Sequence, residues 1–133
     1  MTFPLDSLYH GTKFAVEGIS EALSFEMARI GVKVKIVKPG MIVTDFGGRS
    51  FDFQVGEIAE YQSIIDALIK VWQSGDVKTS PTSLVTDVIY QAATDESTTL
   101  RRRAENDANS LLDNRKNMKE NDFINMIKEQ YGL

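Results

Sequence analysis

Val32, Val34 and Ile36 alternate with Lys33 and Lys35 in the run VKVKIV, which gives one clear strand in a chain whose other apolar residues recur at helical spacing. That imbalance limits the fold more than any other feature. A parallel α/β sheet usually has about four to six strands with helices on both faces, and this sequence offers too few. Before the strand, residues 9 to 29 place Ala15, Ile19, Ala22, Leu23 and Met27 along one long helical stripe that the helix is expected to bury, with Pro4 and the Asp6/Ser7 pair as the turn leading in. Gly31 stops that helix, and Pro39-Gly40 ends the strand. The run MIVTDFGGRS has no helical period and is expected to be a loop.

Further on, Ile58, Tyr61, Ile65, Leu68, Ile69 and Trp72 predict an amphipathic helix over residues 57 to 73. Ser80-Pro81 resembles an N-cap followed by a first-turn proline, opening a helix through Leu84, Val85, Val88, Ile89 and Ala93. Residues 98 to 104 are the only other strand candidate. Two helices close the chain, one carrying Leu111, Leu112 and Met118, the other Phe123, Ile127 and Tyr131. The expected organisation is one α/β domain over residues 1–133. Two strands can hardly cover the apolar faces of so many helices, so the chain reads as the second half of something larger.

Composition narrows the function classes. The 133 residues carry a net charge of −4, which provides no global positive field for nucleic acid or anionic lipid. The basic runs at Lys33 to Lys38 and Arg101 to Arg103 are local. With no cysteine and a single histidine, His10, no disulfide or thiol nucleophile is available and few metal ligands remain, so no metal site is expected. No apolar run approaches the roughly 18 residues of a membrane span, and the N-terminus lacks a basic segment before an apolar stretch. A cytoplasmic protein is expected.

The chemistry-bearing motif is YHGTK, residues 9 to 13. Positions i and i+4 share a helix face, so Tyr9 and Lys13 can lie side by side. A phenol titrates near about pH 10, and a neighbouring ammonium favours the phenolate, which suits a general acid or base acting on a substrate oxygen. The same pair also fits a surface tyrosine lying along a lysine stem. Likewise, PGMIVTD fits a plain strand-ending turn.

Taken together, YHGTKFAVEGISEALSFEMARIGVKVKIVKPGMIVTDF resembles the short-chain dehydrogenase/reductase family, in which a Y-x-x-x-K helix precedes a strand ending in P-G and a threonine. The resemblance covers residues 2 to 46 most specifically. It implies the C-terminal portion of a Rossmann-type doubly wound parallel sheet, with the N-terminal dinucleotide-binding half missing. Its segments would be a catalytic helix (9–29), a strand and cofactor loop (32–48), a lid-like helix (57–73), and C-terminal helices with a weak strand (80–131).

By resemblance, Tyr9 is the proton donor or acceptor and Lys13 holds the nicotinamide ribose. Pro39 and Gly40 shape the loop beside the nicotinamide, while Ile42 and Thr44 hold its carboxamide. The implied function is hydride transfer between NAD or NADP and a small carbonyl or alcohol substrate. A glycine-rich pyrophosphate turn is absent from the sequence, and Gly47-Gly48 is not read as one, so the choice of cofactor is not legible. The family's substrate-holding serine has no good counterpart either, since Ser7 sits at the helix entry. Phe46, Phe51 and Phe53 are candidate substrate-pocket walls. Ala15 and Gly18 are available for a subunit interface, implying a homo-oligomer or pairing with a complementary N-terminal half. Two other readings stand beside the enzyme: a non-catalytic interaction fragment of the family, and a truncated gene product.

Overall fold

The computed structural model describes residues 2–47, 54, 56–74, 79–104 and 106–133. Its elements follow the predicted order: α1 (Ser7–Ala28), β1 (Ile36–Pro39), a single 3-10 turn (Asp45–Gly47), α2 (Ala59–Gln73), α3 (Thr82–Thr94), β2 (Arg101–Ala104), α4 (Asn106–Asn117) and α5 (Glu120–Gln130). The two strands are parallel, with Ile36 opposite Arg101 and Pro39 opposite Ala104. Parallel pairing requires a crossover, and α2 and α3 provide it. The fold is therefore mixed α/β, a partial Rossmann-like arrangement.

The first strand is shorter than the alternation suggested. Val32 to Lys35 lie outside the ladder, because β2 offers partners only from Arg101 onward, and the amide of Ile36 donates to the carbonyl of Leu100 just before it. Lys33 and Lys35 instead reach sideways to the α3–β2 connection, Lys33 Nζ donating to the carbonyl of Glu96 at 2.7 Å and Lys35 pairing with Asp95 at 3.2 Å. The start of α3 also differs by one residue. Pro81 is the N-cap, and Ser80 forms an isolated parallel bridge with Ile42, its amide donating to Met41 and its carbonyl accepting from Val43. That bridge ties the segment after β1 to the entry of α3. A serine before a proline can serve either as a cap or as the last extended residue; here the backbone pairing wins.

A small core forms where α2 meets the C-terminal helix. Leu68, Phe123, Ile127 and Tyr131 are buried together, with Phe3, Leu5, Val71, Met118 and Met126 packed around them. The four-residue spacing of Phe123, Ile127 and the C-cap Tyr131 places them on one face, as their sequence period predicts. Along α2 the buried face carries Ile65 and Leu68, whereas Ile58, Tyr61 and Trp72 from the same predicted stripe stay exposed.

The expectation that α1 buries a long apolar stripe fails within this chain. No residue of α1 is buried, and Phe14, Val16, Ile19, Leu23 and Phe25 all lie exposed. The half-buried positions of α1 past its first turn are Glu17, Ser20, Glu21, Ser24 and Met27, and the two glutamates meet the strands. The physical reason is that two four-residue strands offer almost no apolar surface, so α1 is drawn to their basic side chains instead.

Candidate active site

Residues 2 to 6 form a short strap into α1. Its turn puts Leu5 at φ 65°, a left-handed conformation that leucine rarely adopts and that surrounding contacts must hold. Those contacts are visible: Phe3 and Leu5 pack on the C-terminal core, and the amide of Phe3 donates to Nε2 of His10 at 3.1 Å. Asp6 is the N-cap of α1, and the amide of His10 donates to its carbonyl.

One turn into α1, Tyr9 and Lys13 lie side by side as the i, i+4 spacing predicts. Lys13 Nζ sits over the Tyr9 ring, 5.2 Å from its centroid, so the two meet through the face of the ring. Tyr9 is about half exposed. Thr12 donates its hydroxyl to the carbonyl of Tyr9 at 2.7 Å, closing the turn between them. Two further rings frame the tyrosine. His10 meets it edge-on at 5.6 Å between centroids, and Phe46 lies tilted at 6.3 Å.

Phe46 belongs to the 3-10 turn that follows β1, so this ring contact brings the loop after the strand to the catalytic candidate. Within that loop Pro39 ends β1 opposite Ala104, Gly40 is half-buried, Ile42 is bridged to Ser80, and Thr44 Oγ1 accepts from the amide of Phe46 at 3.3 Å. Tyr9 and Lys13 thus share a helix face, and the loop of Pro39, Gly40, Ile42 and Thr44 approaches through Phe46. Phe51 and Phe53 lie outside the described residues, as does Gly48. Ser7 stands at the first position of α1, two residues from Tyr9 on the same element.

Further along α1, one turn past Lys13, lies a charged frame that the sequence reading missed. Lys38 from β1 and Arg101 from β2 both reach Oε1 of Glu17, at 2.6 and 2.7 Å, and Arg101 also pairs with Glu21. Partial burial would raise the Glu17 carboxyl, but the hydrogen bonds from Lys38 and Arg101 outweigh it and hold Glu17 below the usual range. Next along the strand, Arg102 pairs with Asp95, which also receives Lys35. Arg103 reaches Asp113 of α4 at 2.7 Å. Apart from Lys33, which donates to the Glu96 carbonyl, the cations of both basic runs thus pair with acids of this chain. The signal was present in the acids four apart on α1, Glu17 and Glu21, but their partners lie 21 residues away at Lys38 and 80 to 84 residues away at Arg101. Elsewhere, a surface hollow of about 430 Å³ lines one side of α2 and holds none of the candidate residues.

Residues 1–54 match the family model for short chain dehydrogenases. The chain belongs to the short-chain dehydrogenase family. Two uncharacterized oxidoreductases of Schizosaccharomyces pombe are each 48% identical to it over 101 residues, which is 76% of this chain and 42% of theirs. A 3-ketodihydrosphingosine reductase of Bacteroides thetaiotaomicron is 39% identical over 62 residues, 46% of this chain and 23% of that protein. This short-chain dehydrogenase chain therefore spans about two fifths of the length of its fission-yeast relatives. Among the described residues, no helix is long and apolar enough to cross a membrane, and no group of three or more acidic or histidine side chains could hold a metal ion.

Proposed function

We propose that this chain is the catalytic, C-terminal part of an NAD(P)-dependent short-chain dehydrogenase or reductase acting on a small carbonyl or alcohol. In this reading Tyr9 is the acid/base and Lys13 holds the nicotinamide ribose beside it. The observation that carries the proposal is the convergence at Tyr9: Lys13 over its ring on one helix face, and Phe46 bringing the loop of Pro39, Gly40, Ile42 and Thr44 against it.

The residues suit the nicotinamide end of the cofactor. Thr44 accepts from Phe46 and keeps a hydroxyl hydrogen to donate to a carboxamide, and the Gly40 backbone carries no side chain to obstruct a flat ring. When bound, the nicotinamide supplies or accepts the hydride. In reduction, Tyr9 gives its phenolic proton to the substrate oxygen as hydride reaches the carbonyl carbon, and an alcohol leaves. In oxidation Tyr9 takes the hydroxyl proton back. Lys13 places a positive charge beside a phenolate as it forms. The pyrophosphate has no glycine-rich turn in this sequence, so we assign its binding to residues outside these 133, in a complementary half or a longer chain.

A second reading, an assembly-forming fragment, is favoured by the exposed Phe14, Val16, Ile19 and Phe25 of α1. The two readings are compatible if a protein partner that covers α1 also completes the cofactor site. The test is a titration followed by nicotinamide fluorescence, using this chain joined to the unmatched portion of the fission-yeast relative. Saturable binding of NADH or NADPH that Lys13→Met weakens about tenfold is the expected result. Equal affinity in both proteins would remove Lys13 from the cofactor site and leave the assembly reading.

A further inference from the structure

We propose that His10 is a positioning residue for Tyr9 whose Nε2 exchanges partners on protonation, accepting from the Phe3 amide when neutral and donating to Asp6 when charged. The strap of residues 2 to 6 is held in the first state and loosened in the second. The catalytic part of this inference rests on Tyr9 being the acid/base; the exchange of partners does not.

Four observations meet at this imidazole. Nε2 accepts from the Phe3 amide at 3.1 Å, so the neutral ring must carry its proton on Nδ1. The same nitrogen lies 4.0 Å from a carboxylate oxygen of Asp6, one turn earlier, whose side chain caps no amide of α1. The ring edge meets Tyr9 at 5.6 Å and lies 5.7 Å from Phe3, itself 6.2 Å from buried Tyr131. His10 is largely enclosed, its side chain 14% exposed. A continuous row of rings, Tyr131, Phe3, His10 and Tyr9, thus runs from the C-terminal core to the candidate site.

The exchange follows from donor and acceptor bookkeeping. A protonated imidazole has no acceptor, so Nε2–H would face Phe3 N–H donor to donor. Asp6 is the nearest anion, and a small shift of the ring brings it within hydrogen-bond reach. Leaving Phe3 frees the strap at its strained point, Leu5 with φ 65°, and withdraws Phe3 from Tyr131. The charged and titratable groups facing His10 are Asp6 at the N-cap, Lys13 across the Tyr9 ring, Tyr9 itself and, through Phe3, Tyr131. Nε2 thus has one partner in each state, the Phe3 amide for the neutral ring and the Asp6 carboxylate for the protonated one.

The experiment is NMR on the full 133-residue chain across the His10 titration, reading Phe3 amide exchange corrected for its intrinsic pH dependence. Nuclear Overhauser contacts between the Phe3, His10 and Tyr9 rings are read in the same samples. Phe3 protection should fall about fivefold as His10 protonates, with the midpoint of its ring resonances, and the Phe3–His10 contacts should weaken with it. His10→Gln, whose amide oxygen accepts from Phe3 without titrating, should keep protection at every pH. Tyr9→Phe, which leaves the exchange of partners intact, should titrate like wild type. Phe3 protection and ring contacts that stay constant while His10 titrates would overturn the proposal, as would an unchanged pH dependence in His10→Gln. Neither result bears on cofactor binding or turnover, so the proposed function stands or falls separately.

Discussion

Replacing Glu17 by glutamine removes a charge that joins α1 to both strands while keeping the side chain's size and one acceptor. Lys38 and Arg101 reach the same carboxylate oxygen at 2.6 and 2.7 Å, and all three side chains are between a quarter and two fifths exposed. Partly exposed pairs contribute about 0.2–1 kcal/mol each, and glutamine retains part of the hydrogen bonding, so the expected loss is about 1 kcal/mol. That is roughly a fivefold change in the folded-to-unfolded ratio. The loss depends on pH with a definite sign. Glu17 is held below the ordinary carboxylate value of 4.5, so its contribution is complete above that value and disappears as pH falls through the lower folded one. Urea denaturation followed by far-UV ellipticity, which weights the 22-residue α1 heavily, reads the difference. Glu17→Gln should unfold at lower urea near about pH 7, and its deficit should vanish once acid protonates Glu17 in the wild type. It should also shrink in high salt. Equal midpoints near neutral pH, or a deficit that persists unchanged in acid, would refute the view that this carboxylate fastens α1.

Two further outcomes are expected. Leu68→Ala, at a side chain 1% exposed between α2 and α5, should cost about 2–5 kcal/mol and loosen the strap-bearing core, as measured by the denaturation midpoint. Burial, with a smaller effect from Asp6, raises the Tyr131 phenol above its ordinary value, so its contribution is present below about pH 10 and lost as pH rises through the folded value. Tyr131→Phe should flatten that alkaline fall in stability, and an unchanged fall would point to another group.

Local signals in the sequence carried much of this structure. The period of Phe123, Ile127 and Tyr131 located the C-terminal core, and Gly31 and Pro39 marked the ends of α1 and β1, because these features act within a turn or two of chain. The i, i+4 spacing likewise placed Lys13 beside Tyr9. Register was a different matter. Val32 to Lys35 have the strand period, yet a ladder needs a partner, and β2 begins too late to supply one. Ser80 has the chemistry of a cap, but its backbone is claimed by Met41 and Val43.

The fate of α1 was the least legible. Its apolar stripe is real, but which face a helix turns inward depends on what lies across from it. In this chain the opposing surface is Lys38 and Arg101, so Glu17 and Glu21 take the inner positions and Ile19 and Leu23 are left outside. The role of Phe46 in carrying the post-strand loop to Tyr9 was likewise visible only in three dimensions, since 37 residues separate the two.

The central claim is that Tyr9 performs the proton transfer of a short-chain dehydrogenase. Its most direct test compares wild type and Tyr9→Phe in the chain completed by the unmatched portion of the fission-yeast relative, scoring NAD(P)H oxidation against a panel of small aldehydes and ketones. Turnover by the wild type that falls about 10²–10⁴-fold in Tyr9→Phe, with cofactor affinity held within about twofold, is the expected result. Equal turnover in the two proteins would contradict it.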